Sequence, residues 1–224
     1  MINSNQKNYK DLIDGSINYF KNNELEKAKS LLEEAIVLNP KNISAYINLS
    51  NIYILENKIN NGIKLLLVYL EKHKFNNEII NHLGKIYYKF NLFDELISLK
   101  KFFLNKNYFN KDSYYIYYLI GLAFEKKEKT TNAIDFYKTS IGFNNNFIES
   151  YLQLCNICEK TNKIDQLKKT IDLANKNRLI DLRLNYFNAL YFFRKKNYVS
   201  SQKIIEKNNL IRQLKNNNLY FIDL

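Results

Sequence analysis

The sequence predicts an all-α protein built from repeated helical hairpins, and three observations support this class. The chain of 224 residues contains only five Gly and one Pro, too few for the tight turns that usually join antiparallel strands. Its hydrophobic content of 46% is sufficient for a continuous core. Small residues also recur along the chain at a nearly constant step, which indicates one structural unit used several times.

Two sets of mostly small residues define the repeat. The first set steps by 34, 34, 37, 34 and 34 residues and consists of Ser16, Ser50, Gly84, Gly121, Cys155 and Ala189. The second set follows the same steps and consists of Ala28, Gly62, Leu96, Ala133, Leu167 and Ser201. Large residues surround both sets at the spacing of one helical face. We therefore expect two amphipathic helices in each unit, crossing where the small residues allow close approach.

A turn residue recurs between the two predicted helices of every unit. Its six members are Asn23, Asn57, Asn91, Glu128, Asn162 and Lys196. Asn is the best substitute for Gly in the left-handed conformation that ends many helices. The sequence thus predicts a left-handed residue at this point of each unit. Pro40, the only proline, is expected to end the second helix of the first unit.

The period and its residue types resemble the tetratricopeptide repeat, whose pattern is W-x2-L-G-x2-Y, then A-x3-F, then P. The residues that carry the resemblance in the first three units are Leu12, Tyr19, Ala28, Leu32, Ala35, Pro40, Tyr46, Leu49, Tyr53, Gly62, Leu66, Leu83, Gly84 and Tyr87. The resemblance covers residues 9–208 as six units, namely 9–42, 43–76, 77–111, 112–146, 147–180 and 181–208. It implies a right-handed superhelical solenoid of antiparallel helix pairs.

Some segments depart from the pattern. Asn185 and Asn188 stand where the sixth unit needs bulky apolar residues, so its packing is expected to be weakest. Three extra residues in the segment 105–112 are expected to lengthen a helix end or a connection. Residues 1–8 are expected to form a tail, and residues 209–224 a terminal helix or the start of a seventh unit.

No catalytic, metal or cofactor site is predicted. Cys155 and Cys158 form the only C-x2-C pair, but both fall on core positions, and a zinc site would need two further ligands. His73 and His82 have no nucleophile or metal-ligand partner at a characteristic spacing, and no Gly-rich phosphate loop is present. We therefore expect a protein that is not an enzyme.

The charge balance is strongly basic, with 34 Lys+Arg against 22 Asp+Glu and a formal net charge of +12. Such a balance can indicate a nucleic-acid partner. However, the codon bias of an AT-rich genome also supplies Lys and Asn, and the basic residues are spread along the sequence. A nucleic-acid partner is therefore not favoured. The N-terminus lacks the apolar run of a secretory signal, and no run approaches the ~20 residues of a membrane span, so we expect a cytoplasmic protein.

The resemblance implies that the first helix of each unit lines a concave face on which peptides lie. The residues expected to bind there are Ile47, Asn48, Asn51, Asn81, Lys85, Tyr88, Tyr118, Leu122, Asn156, Tyr186 and Leu190, with Ile13, Ile17, Phe20 and Phe193 at matching positions. Apolar side chains would supply contact area and amides would bond the peptide backbone. The general abundance of Asn in this chain is an alternative explanation for the amides.

Some tetratricopeptide repeat proteins hold chaperone carboxylates with a clamp of Lys, Asn and Arg. The matching positions here carry Ile13, Ile17, Asn48, Glu78 and His82, which do not provide the cations that paired carboxylates require. A co-chaperone role is therefore not favoured.

The predicted function is a scaffold that binds peptide or protein segments. An alternative is a substrate-presenting arm of a larger enzyme, such as a sulfotransferase or glycosyltransferase, because the chain ends on apolar residues that could continue or meet a partner at 219–224. A third is an RNA-binding helical repeat, although the predicted inner positions are mostly neutral.

Overall fold

The computed structural model describes residues 8–73, 75–102 and 113–207. These residues form twelve α-helices and one short 3-10 helix, without any strand, which confirms the all-α prediction. The helices are α1 (Tyr9–Lys21), α2 (Leu25–Leu38), α3 (Ile43–Leu55), α4 (Ile59–His73), α5 (Asn77–Lys89), α6 (Phe93–Ser98), α7 (Tyr114–Lys126), α8 (Thr130–Phe143), α9 (Ile148–Lys160), α10 (Ile164–Lys176), α11 (Leu182–Arg194) and α12 (Tyr198–Lys207). The 3-10 helix (Leu99–Phe102) continues α6.

The chain divides into two compact units, Met1–Tyr108 and Phe109–Leu224. We call them the N-terminal unit, which contains α1 to α6, and the C-terminal unit, which contains α7 to α12. Within each unit every helix packs against its neighbours in chain order, as three stacked hairpins. The segment 105–112, expected to hold the three extra residues, lies outside the described residues. The expected terminal segment 209–224 lies outside them as well.

All six predicted turn residues adopt the left-handed conformation. Their φ angles are 61° for Asn23, 60° for Asn57, 58° for Asn91, 60° for Glu128, 53° for Asn162 and 58° for Lys196. In every hairpin the next N–H donates back across the turn, as Glu24 does to the Tyr19 carbonyl at 2.9 Å. This bond is part of the motif by which a left-handed residue closes a helix end. Arg178, with φ of 58°, is a seventh such residue that the sequence pattern did not predict.

Asn also begins the first helix of each hairpin in the N-terminal unit. The side chains of Asn8, Asn42 and Asn76 accept hydrogen bonds from backbone N–H groups of α1, α3 and α5. Such a cap satisfies one of the donors left open at a helix start. Among the described first helices of the C-terminal unit, α11 is capped in this way by Asp181, whereas α7 and α9 have no side-chain cap bond.

The two sets of small residues lie where paired helices cross, and all twelve members are buried. Ser50 Oγ donates to the Gly62 carbonyl at 3.2 Å across the α3–α4 crossing. Ser201 Oγ donates to the Ala189 carbonyl at 3.0 Å across the α11–α12 crossing. The close approach that the small residues predicted is therefore present.

A further core position lies five residues before five of the six members of the first set. Its members in the second to sixth hairpins, all buried, are Ala45, Ile79, Ile116, Ser150 and Leu184. In the sixth hairpin this position is Leu184, which α11 buries together with Phe187. Asn188 Oδ1, on the same helix, is buried and has no hydrogen-bond partner among the described residues.

Candidate peptide-binding face

The N-terminal unit contains a cleft between α1 and α3. It encloses about 110 Å³ and is lined by Ser16, Ile17, Phe20, Leu32, Asn48, Asn51 and Ile52. Ile17 and Phe20 are 38% and 41% exposed, so their side chains form an accessible apolar wall. The cleft brings together Asn48 and Asn51, two residues that the sequence placed on a binding face.

The composition of the cleft suits an uncharged ligand group. Its apolar surface comes from two first helices and from Leu32 of α2, and no lining residue carries a charge. Each Asn amide offers two N–H donors and a carbonyl acceptor. A mostly apolar lining with a few polar groups is the usual arrangement of a ligand site.

The other predicted residues of the N-terminal unit do not line this cleft. Ile47 is half-buried on α3, and Lys85 is exposed on α5. Tyr88 is half-buried with its ring centroid 6.0 Å from that of Phe93. Asn81 has a buried Oδ1 with no hydrogen-bond partner in the part of the chain that the structure describes. None of these four residues lines the cleft.

His82 adds a second buried polar atom to α5. Within residues 8–73, 75–102 and 113–207, its Nε2 has no hydrogen-bond partner. Burial, and to a lesser degree the charge of Lys85, lowers the pKa of His82 below its ordinary value. The imidazole is therefore favoured in its neutral form.

The matching face of the C-terminal unit is largely occupied by its own side chains. The ring of Tyr118 lies 5.1 Å from that of Phe147 and 6.0 Å from that of Tyr137. Leu122 is half-buried, and Asn156 Nδ2 donates to Gln153 Oε1 at 3.3 Å.

Two residues of this face are placed differently from the sequence expectation. Tyr186 is only 8% exposed and Leu190 only 4% exposed, and the ring of Tyr186 meets that of Phe187 edge to face at 5.4 Å. Their burial leaves little surface for a ligand, which corrects their placement on an open face. The reason is that α11 buries residues on both sides of Ala189, a pattern that the repeat alone does not predict.

The cysteines have the properties of core residues. Cys155 and Cys158 are buried free thiols. Burial raises the pKa of both thiols, so the reactive thiolate is disfavoured. In the parts of the chain that the structure describes, no cluster of three or more His, Cys, Asp or Glu could hold a metal ion. Nor does any described helix combine the length and apolar character that crossing a membrane requires.

Sequence reasoning missed the floor of the cleft. It assigned Ser16 and Leu32 to the packing positions of the repeat and did not single out Ile52. Ser16 is small and bonds to the backbone carbonyl of Ile13 at 2.6 Å. Its short side chain therefore leaves space beside Asn48. The sequence feature that could have indicated the cleft is a small residue on α1 opposite an amide on α3.

Stacked antiparallel hairpins with accessible first-helix surfaces define a helical repeat protein. Residues 114–147 match the family model of the tetratricopeptide repeat. No curated protein matches the sequence. The fold is similar to that of PilF of Pseudomonas aeruginosa, at 16% identity and a TM-score of 0.67 over 95% of this chain and 91% of PilF.

Two further solved structures share the fold. PilW, a widely conserved type IV pilus biogenesis factor, is 15% identical with a TM-score of 0.62 over 95% of this chain and 94% of PilW. YrrB, a tetratricopeptide repeat protein with an unusual peptide-binding site, is 17% identical with a TM-score of 0.57 over 79% of this chain and 90% of YrrB. The chain therefore has the fold of tetratricopeptide repeat proteins, and residues 114–147 match the repeat itself.

Proposed function

We propose that this protein is a non-enzymatic scaffold whose N-terminal unit binds a peptide segment of a partner protein. The observation that carries the proposal is the cleft between α1 and α3, where Ile17 and Phe20 face Asn48 and Asn51. An apolar side chain of the peptide enters the cleft. The two amides bond the peptide backbone on either side of that anchor.

The chemistry of the cleft favours a peptide over a charged small molecule. Removing an apolar side chain from water contributes about 25 cal/mol per Å² of buried area. The absence of charge from the cleft lining leaves an anionic ligand without an ion partner there. YrrB supports the proposal as a protein of the same fold that has a peptide-binding site.

The proposal is tested by selecting peptides from a random phage-displayed library on the immobilised full chain. Selected peptides are then titrated against Phe20→Asp and against the matched control Phe193→Asp. Both phenylalanines are four residues after a small residue of the first set, and their exposures are similar at 41% and 48%. We expect Phe20→Asp to weaken binding by about tenfold or more, as removal of a central anchor does.

Two outcomes would contradict the proposal. One is a library that yields no enriched peptide. The other is a set of peptides that bind the Phe20→Asp and Phe193→Asp variants equally well, because the α1–α3 cleft would then not be the site.

The role of the amides is tested separately with Asn51→Leu. This change keeps the size of the side chain but removes its hydrogen-bonding groups. We expect the selected peptides to bind about threefold to tenfold more weakly, the loss of roughly one hydrogen bond. Asn61→Leu, at an exposed position of α4 away from the cleft, is the matched control.

A further inference from the structure

The turns between paired helices in the C-terminal unit carry a concentration of positive charge. We define the basic turn edge as residues 126–129, 160–163 and 194–197, which read KKEK, KTNK and RKKN. They contain eight cations and one carboxylate. The matching turns of the N-terminal unit, 21–24, 55–58 and 89–92, read KNNE, LENK and KFNL and contain three cations and two carboxylates. Codon bias acts on both units alike, so it does not explain this difference.

The three turns of the basic turn edge lie beside one another. Lys160 Nζ is 3.3 Å from Glu125 Oε1, which joins the second turn to the first. Arg194 Nη2 is 3.9 Å from Glu159 Oε1, and Lys195 Nζ is 2.9 Å from Asp165 Oδ1. These two ion pairs join the third turn to the second. Residues 34 apart in the sequence therefore share one edge, which explains why the cations look dispersed in the sequence.

Three of these cations occupy backbone positions at which Lys is unfavourable for folding. Lys129 and Lys163 are N-cap residues of α8 and α10 and make no side-chain cap bond. A cation at a helix N-terminus is unfavourable because it meets the positive end of the helix dipole. Lys196 has a φ of 58°, although Asn or Gly is better suited to the left-handed region. All three are exposed, and among the described residues none of them forms an ion pair.

Two exposed aromatic rings flank the third turn. Phe193 is 48% exposed and Tyr198 is 57% exposed, and their ring centroids lie 5.5 Å apart. They stand on either side of Arg194, Lys195 and Lys196 in the sequence. Exposed rings beside cations are what proteins use to bind single-stranded nucleic acid, because bases stack on the rings and phosphates pair with the cations.

We propose that the basic turn edge binds single-stranded nucleic acid. The phosphates contact Lys129, Lys163 and Lys196, and bases stack on Phe193 and Tyr198. The rings favour this ligand over an acidic protein, which would use the cations alone. The surface belongs to the C-terminal unit and does not involve the peptide cleft.

The test measures fluorescence anisotropy of labelled oligo(U) and oligo(dT) with the full chain, over a range of salt concentrations. The test variant is Lys129→Asn, Lys163→Asn, Lys196→Asn, and the control is Lys21→Asn, Lys58→Asn, Lys89→Asn. Both lose the same charge at matching turns. Asn suits an N-cap and a left-handed position, so the test variant is expected to remain folded.

We expect the wild type to bind both oligonucleotides more tightly at low salt, and the test variant to bind about tenfold more weakly. The slope of log affinity against log salt should fall by about 2 in magnitude, since about 0.7 is lost per phosphate contact of a single strand. The control should stay within about twofold of the wild type. Phe193→Ala, Tyr198→Ala should weaken oligo(U) binding while leaving heparin binding unchanged.

Three results would overturn the proposal. The first is a wild type that binds neither oligonucleotide at low salt. This result counts against the proposal even if the wild type binds anionic phosphatidylserine vesicles or polyglutamate. The two triple variants could lose affinity equally, which would show an effect of net charge alone. The ring variant could bind oligo(U) like the wild type, which would remove the stacking that identifies the ligand.

Discussion

The two units share one backbone design and differ in what they place on it. Both stack three hairpins, and both close every hairpin with a left-handed residue. The N-terminal unit uses Asn at all three left-handed positions and at all three first-helix caps. In the C-terminal unit Asn fills only one of the three left-handed hairpin turns, Glu128 and Lys196 fill the other two, and Arg178 is a further left-handed residue among those described.

The surfaces formed by the first helices also differ between the two units. The N-terminal unit leaves a cleft with amides at its first helices, whereas in the C-terminal unit the ring of Tyr118 packs against the rings of Tyr137 and Phe147. The repeat therefore fixes only a few positions in each hairpin, and the remaining positions are free to build different surfaces. If this comparison is right, the same substitution should have different effects in the two units.

The largest expected effect is at the tightest crossing of the C-terminal unit. A Cβ added at Gly121 would lie 2.6 Å from Cε1 of the fully buried Tyr137. The Tyr137 ring cannot easily move, because its hydroxyl donates to Glu125 Oε2 at 2.9 Å. We expect Gly121→Ala to lower the free energy of unfolding by about 2 to 3 kcal/mol, as overpacking of a core does. Urea unfolding followed by circular dichroism measures the change.

Two controls separate overpacking from helix propensity. A Cβ at Gly142, also in a helix of the C-terminal unit, would have no described atom within 4 Å beyond its chain neighbours and its own helix backbone, so Gly142→Ala should be neutral or stabilising. In a Tyr137→Leu background, Gly121→Ala should cost clearly less, because the clashing ring is gone. Equal costs in both backgrounds would contradict the proposed contact.

The next effect concerns buried hydroxyl groups. In the C-terminal unit Ser150 Oγ donates to Ser140 Oγ at 2.9 Å, and Ser140 Oγ donates to the Tyr114 carbonyl at 2.8 Å. Ser140→Ala removes both bonds and leaves the Ser150 hydroxyl unpartnered in the core. We expect a loss of about 2 kcal/mol in the free energy of unfolding.

The matched change in the N-terminal unit is Ser50→Ala. It removes one bond to the Gly62 carbonyl and leaves no hydroxyl behind. We expect a loss of about 1 kcal/mol or less. Equal losses for Ser50→Ala and Ser140→Ala, measured by the same urea unfolding, would show that the two hydroxyls of the C-terminal unit are not coupled.

The sequence predicted the scaffold well because the scaffold depends on local rules. A left-handed turn residue and a small residue at a crossing are each required by backbone geometry, so their types recur at one spacing. The cleft was only partly predictable, because Asn48 and Asn51 show their polarity in the sequence but Ser16, Leu32 and Ile52 resemble ordinary core residues. The burial of Tyr186 and Leu190 depends on how α11 packs, which the repeat spacing does not determine.

A smaller effect should follow from the left-handed turns. Glu128→Gly relieves the Cβ crowding of a non-glycine residue with a φ of 60°. We expect a gain of about 1 kcal/mol in the free energy of unfolding. Asn57→Gly, at the same turn position in the N-terminal unit, should gain less, because Asn tolerates this conformation better. An equal gain at both sites would contradict the contrast between the units.

The smallest effect is a pH dependence that belongs to the N-terminal unit. Burial lowers the folded-state pKa of His82 below its unfolded value of about 6.5. Between the two values the unfolded chain binds more protons than the folded one, so the free energy of unfolding falls as pH decreases through this window. His82→Gln should flatten the fall, and Lys85→Gln should reduce it in part, because Lys85 is the second cause of the shift. The measurement is urea unfolding at a series of pH values between neutrality and pH ~5, the region where histidine titrates. A wild type and a His82→Gln variant with the same pH profile would show that the buried imidazole does not control the acid stability of this unit.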